Sequence, residues 1–476
     1  MADRAIDAAL IDRKARMKLA FEDVSARPVA DRLADFEPAY PLLTEDQARR
    51  AAERCIHCPE APCQVACPVH NDISAALWLV EQGDFIGAAH IYRETSSLPE
   101  ICGLVCPHEA LCQGSCVRSK RGEPVLTGAI EAFVTTYERE HGGIELPRKD
   151  HSGKRVAVVG TGPAGLACAE QLLQQGHEVV LFDALPHPGG LLTYGIPNFK
   201  LPKRVVEGRV NDFRRAGARF ETGVRIGRDR TVDDLLADGF DAVFLGVGSG
   251  IDSPMDVPGA DLPGVYQATE FLIRGNVDPS ILPPGMSSRP DTGRRVAVIG
   301  GGDTASDCLR TALRLGAEEV TCLYRRTEAE MPGGKKDREL ARQEGAKYRF
   351  LSQPVRFIAG HDGRVHSVEC LQCELGEPDA SGRRKPIPIE GSNFTVLADT
   401  VVLALGYWPD PLIGESTPGL ETRKYGLIVA EAETGATSRK EIFAGGDAVT
   451  GPDLVVTAMR AGRRAAASIH AALTAT

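Results

Sequence analysis

The sequence predicts an α/β protein: two Rossmann-like dinucleotide-binding domains, the second inserted in the first, preceded by a mainly helical, cysteine-rich domain. Three observations predict it. A strand–glycine turn–helix–strand unit occurs twice, around Gly160-Thr-Gly162-Pro-Ala-Gly165 and Gly300-Gly-Gly302-Asp-Thr-Ala305. Eight of the 13 cysteines crowd between Cys55 and Cys116, upstream of both turns. At 476 residues the chain exceeds what one hydrophobic core sustains.

The cysteines read Cys55-x2-Cys58-x4-Cys63-x3-Cys67-Pro68 and Cys102-x3-Cys106-Pro107-x4-Cys112-x3-Cys116. Thiolates at such short spacings wrap a compact metal centre, and eight suit two iron–sulfur clusters of the 4Fe-4S type. Structural zinc favours paired Cys-x2-Cys knuckles, which these spacings do not repeat. In two-cluster ferredoxins the last cysteine of a run ending in Cys-Pro ligates the other cluster. Applied here, Cys67 crosses over and Cys116 returns. One cluster is then held by Cys55, Cys58, Cys63 and Cys116. The other takes Cys67, Cys106, Cys112 and a fourth ligand, for which composition offers Cys102. Helical patterns at 45–54 and 73–81 alternate with cysteine-rich turns, so clusters are expected to supply folding energy that a thin apolar core lacks.

From Lys154 the texture becomes α/β. A buried strand at 156–159, a helix at 164–175 and a strand at 178–182 surround the first glycine turn. Gly160 makes the tight turn, Gly162 lets backbone approach a pyrophosphate, and Gly165 packs helix on strand. Pro163 and Ala164 open the helix, whose N-terminus adds partial positive charge. Asp183, ending the second strand, is placed to accept from ribose hydroxyls. Gly190-Leu191 follows the acid, and a late Gly446-Asp447 stands where flavoproteins with two dinucleotide domains hold ribityl and phosphate. Thr457 starts the last helix, whose N-terminus is expected to face the flavin pyrimidine ring. These features together predict FAD.

The second turn carries Gly300, Gly302, Asp303, Thr304 and Ala305, with alanine in the third place, as the fingerprint allows. Where an NAD enzyme has an acid ending the second strand, this chain has Tyr324-Arg325-Arg326. Guanidinium groups there pair with a 2′-phosphate, so Arg325 and Arg326 predict NADPH over NADH. The strand 399–405 and the segment 442–449 are expected to return to the first unit. The expected division is 1–152 for the helical domain with two clusters, 153–290 and 399–476 for the FAD-binding domain, and 291–398 for the NADPH-binding domain.

The run from Arg54-Cys55 to Cys116, the segment Gly128-Ala-Ile-Glu131-Ala-Phe133 and both glycine turns resemble the small (beta) subunit of NADPH-dependent glutamate synthase. They are similar also to the cluster-bearing N-terminal half of dihydropyrimidine dehydrogenase. The resemblance implies that Glu131, not Cys102, is the fourth ligand of the second cluster. It also implies an electron-input subunit: NADPH gives a hydride to FAD, and single electrons leave through two 4Fe-4S clusters to a large subunit that makes glutamate from glutamine and 2-oxoglutarate. The glutaminase step needs a nucleophilic N-terminal cysteine, whereas residue 2 here is Ala2, so that chemistry is expected on the partner. A pyrimidine dehydrogenase or ferredoxin:NADP oxidoreductase subunit would share the same local motifs.

Composition narrows the remaining classes. A formal net charge of −10 argues against nucleic-acid binding. No apolar run approaches the roughly 20 residues that cross a bilayer, and the first twenty residues mix charges as no secretory signal does. Dense reduced thiols imply the cytoplasm. A stand-alone disulfide reductase would need a cysteine pair facing the flavin. Cys370-x2-Cys373 has the spacing, but it falls in an alternating strand pattern at 365–375, where residues three apart point to opposite faces. Cys168 and Cys308 fall within the helices after the glycine turns, as packing residues. Hydride transfer itself asks for positioning rather than a catalytic triad, with domain rotation a route to bringing the two rings together.

Overall fold

In the computed structural model, residue 6 and residues 10–286, 289–380 and 382–475 are described. The N-terminal third is helical. Helices Glu45–Glu53, Ile73–Gln82, Phe85–Thr95 and Thr127–His141 enclose an apolar cluster built on Leu77, Val80, Ile91, Tyr92 and Ile130, while Pro99–Val105 packs against Thr127–His141 and turns its apolar residues to the core of the next domain. Thr44 and Gln47 form a reciprocal capping box at the first of these. Asp72 and Asp84 cap the next two through their carboxylates.

The first sheet is parallel, with strands in the order Ile442–Ala444, Ala242–Leu245, Arg155–Val159, Glu178–Asp183, Arg219–Thr222. Its central strands are buried on both faces, which is why they read as unbroken Val, Ala and Leu runs. Helices Pro163–Gln174 and Val455–Thr474 pack against each other beside this sheet. Cys67 and Cys102 belong to the same apolar cluster as Val156 and Met459, so the cysteine-rich domain continues the core of the first sheet.

The second sheet is also parallel: Val265–Gln267, Thr400–Leu403, Arg295–Ile299, Glu319–Leu323, Lys347–Arg349. Here the structure corrects the expectation for 399–405. That strand does not return to the first unit; it lies inside the second sheet, between Val265–Gln267 and Arg295–Ile299, with Thr400 opposite Val296 and Leu403 opposite Ile299. A four-residue apolar strand buried on both faces looks the same in the middle of either sheet. Only the crossover topology assigns it. The return occurs further on, through a short antiparallel pair, Ile251–Asp252 with Tyr407–Trp408, that joins the two units. Ile442–Ala444 does rejoin the first sheet, as expected. Strands Ser352–Ala359, Val365–Pro378, Arg384–Pro388 and Phe394–Leu397 form an antiparallel sheet.

Candidate cofactor and cluster sites

The first glycine turn is built by close backbone approach. Gly160 has φ +99, and a Cβ there would overlap the Gly246 carbonyl oxygen. At Gly165 a Cβ would overlap the Gly160 carbonyl oxygen, so the helix Pro163–Gln174 touches the turn only because that position has no side chain. Gly162 precedes the helix and faces open space, with no side chain capping the helix N-terminus. Free N–H groups beside an open backbone make an anion cradle.

Asp183 is buried at the end of its strand. Its carboxylate accepts from the Thr161 N–H at 2.8 Å, from the Thr161 hydroxyl, and from the Leu185 N–H at 2.9 Å. Burial pushes its carboxyl up, against these hydrogen bonds. The acid therefore ties the glycine turn to the second strand. Thr161 was not singled out in the sequence, because it fills a variable place of the fingerprint. Its hydroxyl also accepts from the Gly189 N–H at 2.9 Å. That bond brings Gly190 against Gly162, where a Cβ on Gly190 would come within 3.0 Å of the Gly162 Cα. Leu191 then opens the short helix Leu191–Tyr194.

Gly446 packs between the two helices; a Cβ there would lie 2.9 Å from the Ala164 Cβ and 3.4 Å from the Ala458 Cβ. This brings Asp447 and the start of Val455–Thr474 to the first glycine turn. Asp447 Oδ1 is buried without a hydrogen-bond partner. Burial pushes this carboxyl up to about 7. A buried acceptor without a donor fits a ligand hydroxyl, as the flavin-type reading requires. Thr457 lies in the first turn of the last helix, and its hydroxyl donates to the Leu454 carbonyl at 2.8 Å.

At the second turn, Gly302 precedes the helix Asp303–Arg314 and also faces open space, while Ala305 is buried. Asp303 accepts from the Gly334 N–H at 2.8 Å, and Gly333 donates to the Gly301 carbonyl at 3.1 Å, so the loop 331–334 lies against this turn. The Tyr407 hydroxyl donates to Thr304 Oγ1 at 3.4 Å. Arg325 is exposed at the end of Glu319–Leu323. Arg326 differs: it is 5% exposed and donates to the Arg384 carbonyl at 2.7 Å and to Asp379 at 2.6 Å. The sequence could not separate two adjacent arginines that the fold turns in different directions.

The eight predicted cluster ligands divide between two cavities. Cys55, Cys58, Cys63 and Cys116 line one of them. Cys67, Cys106, Cys112 and Glu131 line the other, together with Cys102, His108 and Val456. Cys67 and Cys116 have thus each crossed to the other run's side, the grouping that the Cys-Pro rule suggests. Thr127 lines both cavities, and its hydroxyl is 3.1 Å from Cys112 Sγ. Burial pushes the Cys55 and Cys112 thiols up to about 12, so a metal centre must displace their protons on binding. Among the described residues no three His, Cys, Asp or Glu side chains converge as ligands of a single ion. The soft sulfur donors instead surround a void, a donor set and shape that fit a polynuclear iron–sulfur centre.

Glu131 is buried, accepts from Asn71 Nδ2 at 3.4 Å, and has its carboxyl pushed well up by burial and the nearby Cys102. Cys102 is 3% exposed and lies beside Cys106. Both candidates for the fourth ligand therefore face the same cavity. If Glu131 fills that place, Glu131→Ala is expected to lose one cluster's iron, whereas Cys102→Ser retains it; iron and sulfide counts on anaerobically purified protein decide. The other cysteines lie elsewhere. Cys370 and Cys373 are buried on Val365–Pro378 in separate cross-strand pairings, and both thiols are free. Cys168 and Cys308 are fully buried on the helices after the turns.

Comparison with known proteins agrees with this anatomy. Residues 32–143 match the family model for dihydropyrimidine dehydrogenase domain II, 4Fe-4S cluster, and residues 154–462 match that for pyridine nucleotide-disulphide oxidoreductase. The chain is 42% identical over 458 residues to the glutamate synthase [NADPH] small chain of Halomonas elongata, covering 94% of this chain and 95% of that one. It is 43% identical over 462 residues to the putative oxidoreductase AegA of Escherichia coli, covering 93% of this chain and 69% of that longer one. Among solved structures, FprA from Mycobacterium tuberculosis in complex with NADPH shares the two-unit fold, with a TM-score of 0.55 and 23% identity over 67% of this chain and 84% of that one. No helix among the described residues is long and apolar enough to cross a membrane. With its 4Fe-4S domain joined to a pyridine-nucleotide oxidoreductase unit, the chain belongs to the family of the glutamate synthase [NADPH] small chain.

Proposed function

We propose that this chain is the electron-input subunit of an NADPH-dependent glutamate synthase, working in the cytoplasm and handing electrons to a large subunit that forms glutamate from glutamine and 2-oxoglutarate. One observation carries this reading: the flavin cradle and a cysteine-lined cavity meet at one helix start. Val456 lines the cavity of Cys67, Cys106, Cys112 and Glu131, and it neighbours Thr457 in the helix that Gly446 abuts. A bound flavin supplies the conversion of a two-electron hydride into single electrons, which iron–sulfur centres carry onward.

The chain's own residues orient that traffic. Gly160, Gly162, Pro163, Ala164, Gly165 and Gly190 hold the FAD pyrophosphate, while Asp183 and Asp447 take its sugar hydroxyls. Gly300, Gly302, Asp303, Thr304 and Ala305 hold the NADPH pyrophosphate. Arg325, exposed beside that turn, takes the 2′-phosphate, and Arg326, tied to Asp379, supports its strand end. Cys67, Cys106, Cys112 and Glu131 hold the cluster nearer the flavin. Cys55, Cys58, Cys63 and Cys116 hold the second, further out, and Thr127 stands between the two.

Anaerobic titration with NADPH and NADH tests this. NADPH is expected to bleach the flavin and then the cluster absorbance, and Arg325→Ala to weaken NADPH about tenfold or more, the scale of a lost charge-assisted contact, with NADH little changed. Unbleached flavin, or equal losses for both nucleotides, would overturn the assignment. The comparable identity to a putative oxidoreductase supports a second reading, in which the same input module serves a different acceptor. Purification from the native host separates the two by the large chain that co-elutes.

A further inference from the structure

Two buried guanidinium groups flank the outer cysteine cavity, and among the described residues neither forms an ion pair. Arg118 is 5% exposed and lines the cavity of Cys55, Cys58, Cys63 and Cys116. It is carried there by the short helix Val117–Lys120, which starts directly after Cys116. Its terminal nitrogens donate to two carbonyls, Arg16 at 2.6 Å and Leu19 at 3.2 Å, and its Nε is buried with no partner. Arg54 is 3% exposed and caps the helix Glu45–Glu53 directly before Cys55. It donates to the carbonyls of Pro124 at 2.7 Å and Glu123 at 2.9 Å, and its Nε is likewise buried and unpartnered. Arg54 lies within electrostatic range of Arg118, of Cys116 and of Glu123.

Among the described residues neither arginine pairs with a carboxylate. Elsewhere in this domain a guanidinium does: Arg16 meets Glu81 at 2.7 Å. Two like charges buried side by side, with donors left over, are costly unless an anion arrives beside them. The inner cavity has no such cation in its wall. Its lining carries no arginine or lysine among the described residues, and it carries Glu131.

We infer that Arg118 and Arg54 are the counter-charge of the outer iron–sulfur centre and raise its reduction potential above that of the inner one. This rests on the proposal that each cavity holds a cluster. Net charge and hydrogen bonds near the sulfurs set such potentials, and positive charge favours the more negative, reduced state. The two centres then form a downhill pair, with the electron resting at the outer one, away from the flavin.

An EPR-monitored redox titration of the full-length holoprotein tests it, with the outer signal assigned through Cys58→Ser. Arg118→Gln is expected to lower the outer midpoint by about tenfold in the one-electron equilibrium constant, which is about 59 mV, and to shift the inner one much less. Arg118→Lys, which keeps the charge, is expected to restore most of the shift. Arg54→Gln, outside the cavity wall, should move the same midpoint in the same direction, and it serves if Arg118→Gln fails to retain iron. Unmoved outer potentials with full iron and sulfide would overturn this inference alone. Wild-type protein without iron or sulfide would overturn the cluster reading beneath it.

Discussion

Replacing Gly165 by valine is expected to give protein that binds no flavin and loses about 3 kcal/mol or more of stability, at or beyond the upper end of ordinary overpacking. The incoming side chain would meet backbone: the Gly160 carbonyl oxygen, with Val158 Cγ1 at 3.2 Å from the new Cβ. Neither can yield without moving helix Pro163–Gln174 off strand Arg155–Val159. Gly162→Ala makes the contrast. Gly162 has φ −71 and nothing within 4 Å, so alanine fits the fold there. It nevertheless occupies the space through which a pyrophosphate would approach. Gly162→Ala should therefore keep wild-type stability and lose flavin affinity, read as bound flavin absorbance per chain beside a denaturant titration. A flavin-replete Gly165→Val protein would remove the basis for the cradle.

The second large effect is expected at Glu344. Its carboxylate is fully buried and receives three guanidiniums: Arg314 at 2.7 Å, Arg310 at 2.9 Å and Arg32 at 3.1 Å. Arg32 comes from the N-terminal helix Val29–Ala34, while Arg310 and Arg314 come from Asp303–Arg314, the helix after the second glycine turn. Arg310 and Arg314 also each lie 4.3 Å from the ring of Phe199, in the first unit. One carboxylate thus pins three parts of the molecule. Glu344→Ala would leave Arg32 and Arg314 without an anion and Arg310 with only Asp337 at 3.7 Å, and breaking such a site costs about 3–5 kcal/mol. Arg32→Ala should cost clearly less, because Glu344 keeps two partners. Burial opposes ionisation of Glu344, but hydrogen bonds from Arg314 and Arg310 and their charges outweigh it and hold the carboxyl below its ordinary value. A depressed carboxyl contributes stability that is present above the unfolded-chain value of about 4.3 and lost as pH falls below it. The wild type should therefore lose this contribution in acid, and Glu344→Ala should show a flatter acid limb. Equal acid limbs would show that Glu344 does not carry the linkage.

The same cluster bears on how the nucleotide units move. The N-terminal segment straps them: besides Arg32 on Glu344, Asn198 donates to the Phe36 carbonyl at 3.2 Å and Lys336 sits 4.1 Å from the Tyr40 ring. Lys200, from the first unit, reaches Asp307 at 3.2 Å and Asp337 at 2.9 Å in the second. A wide rotation of one unit on the other would have to break all of these buried or half-buried contacts together. None of this was legible beforehand, because each partner is an ordinary charged residue on its own helix and only the docking of three units makes them meet.

What the sequence by itself determined is whatever local chemistry dictates. Gly165 is required by the Gly160 carbonyl five residues before it, and Gly160 by its own φ of +99, so the turn, its helix and its strand were readable in place. The cysteine spacings likewise announced two groups of thiols, and the fold gathers them around two cavities. Only the tertiary structure decided the rest. Thr400–Leu403 is as apolar as any central strand, and its sheet was settled by the crossover rather than by its residues. Arg325 and Arg326 are identical in sequence, yet one is exposed and the other buried on Asp379. Arg54 and Arg118 became a charged pair beside Cys116 because two distant turns close on one cavity. Electrostatics between such residues depends on distance through space, and no pattern along the chain encodes that distance.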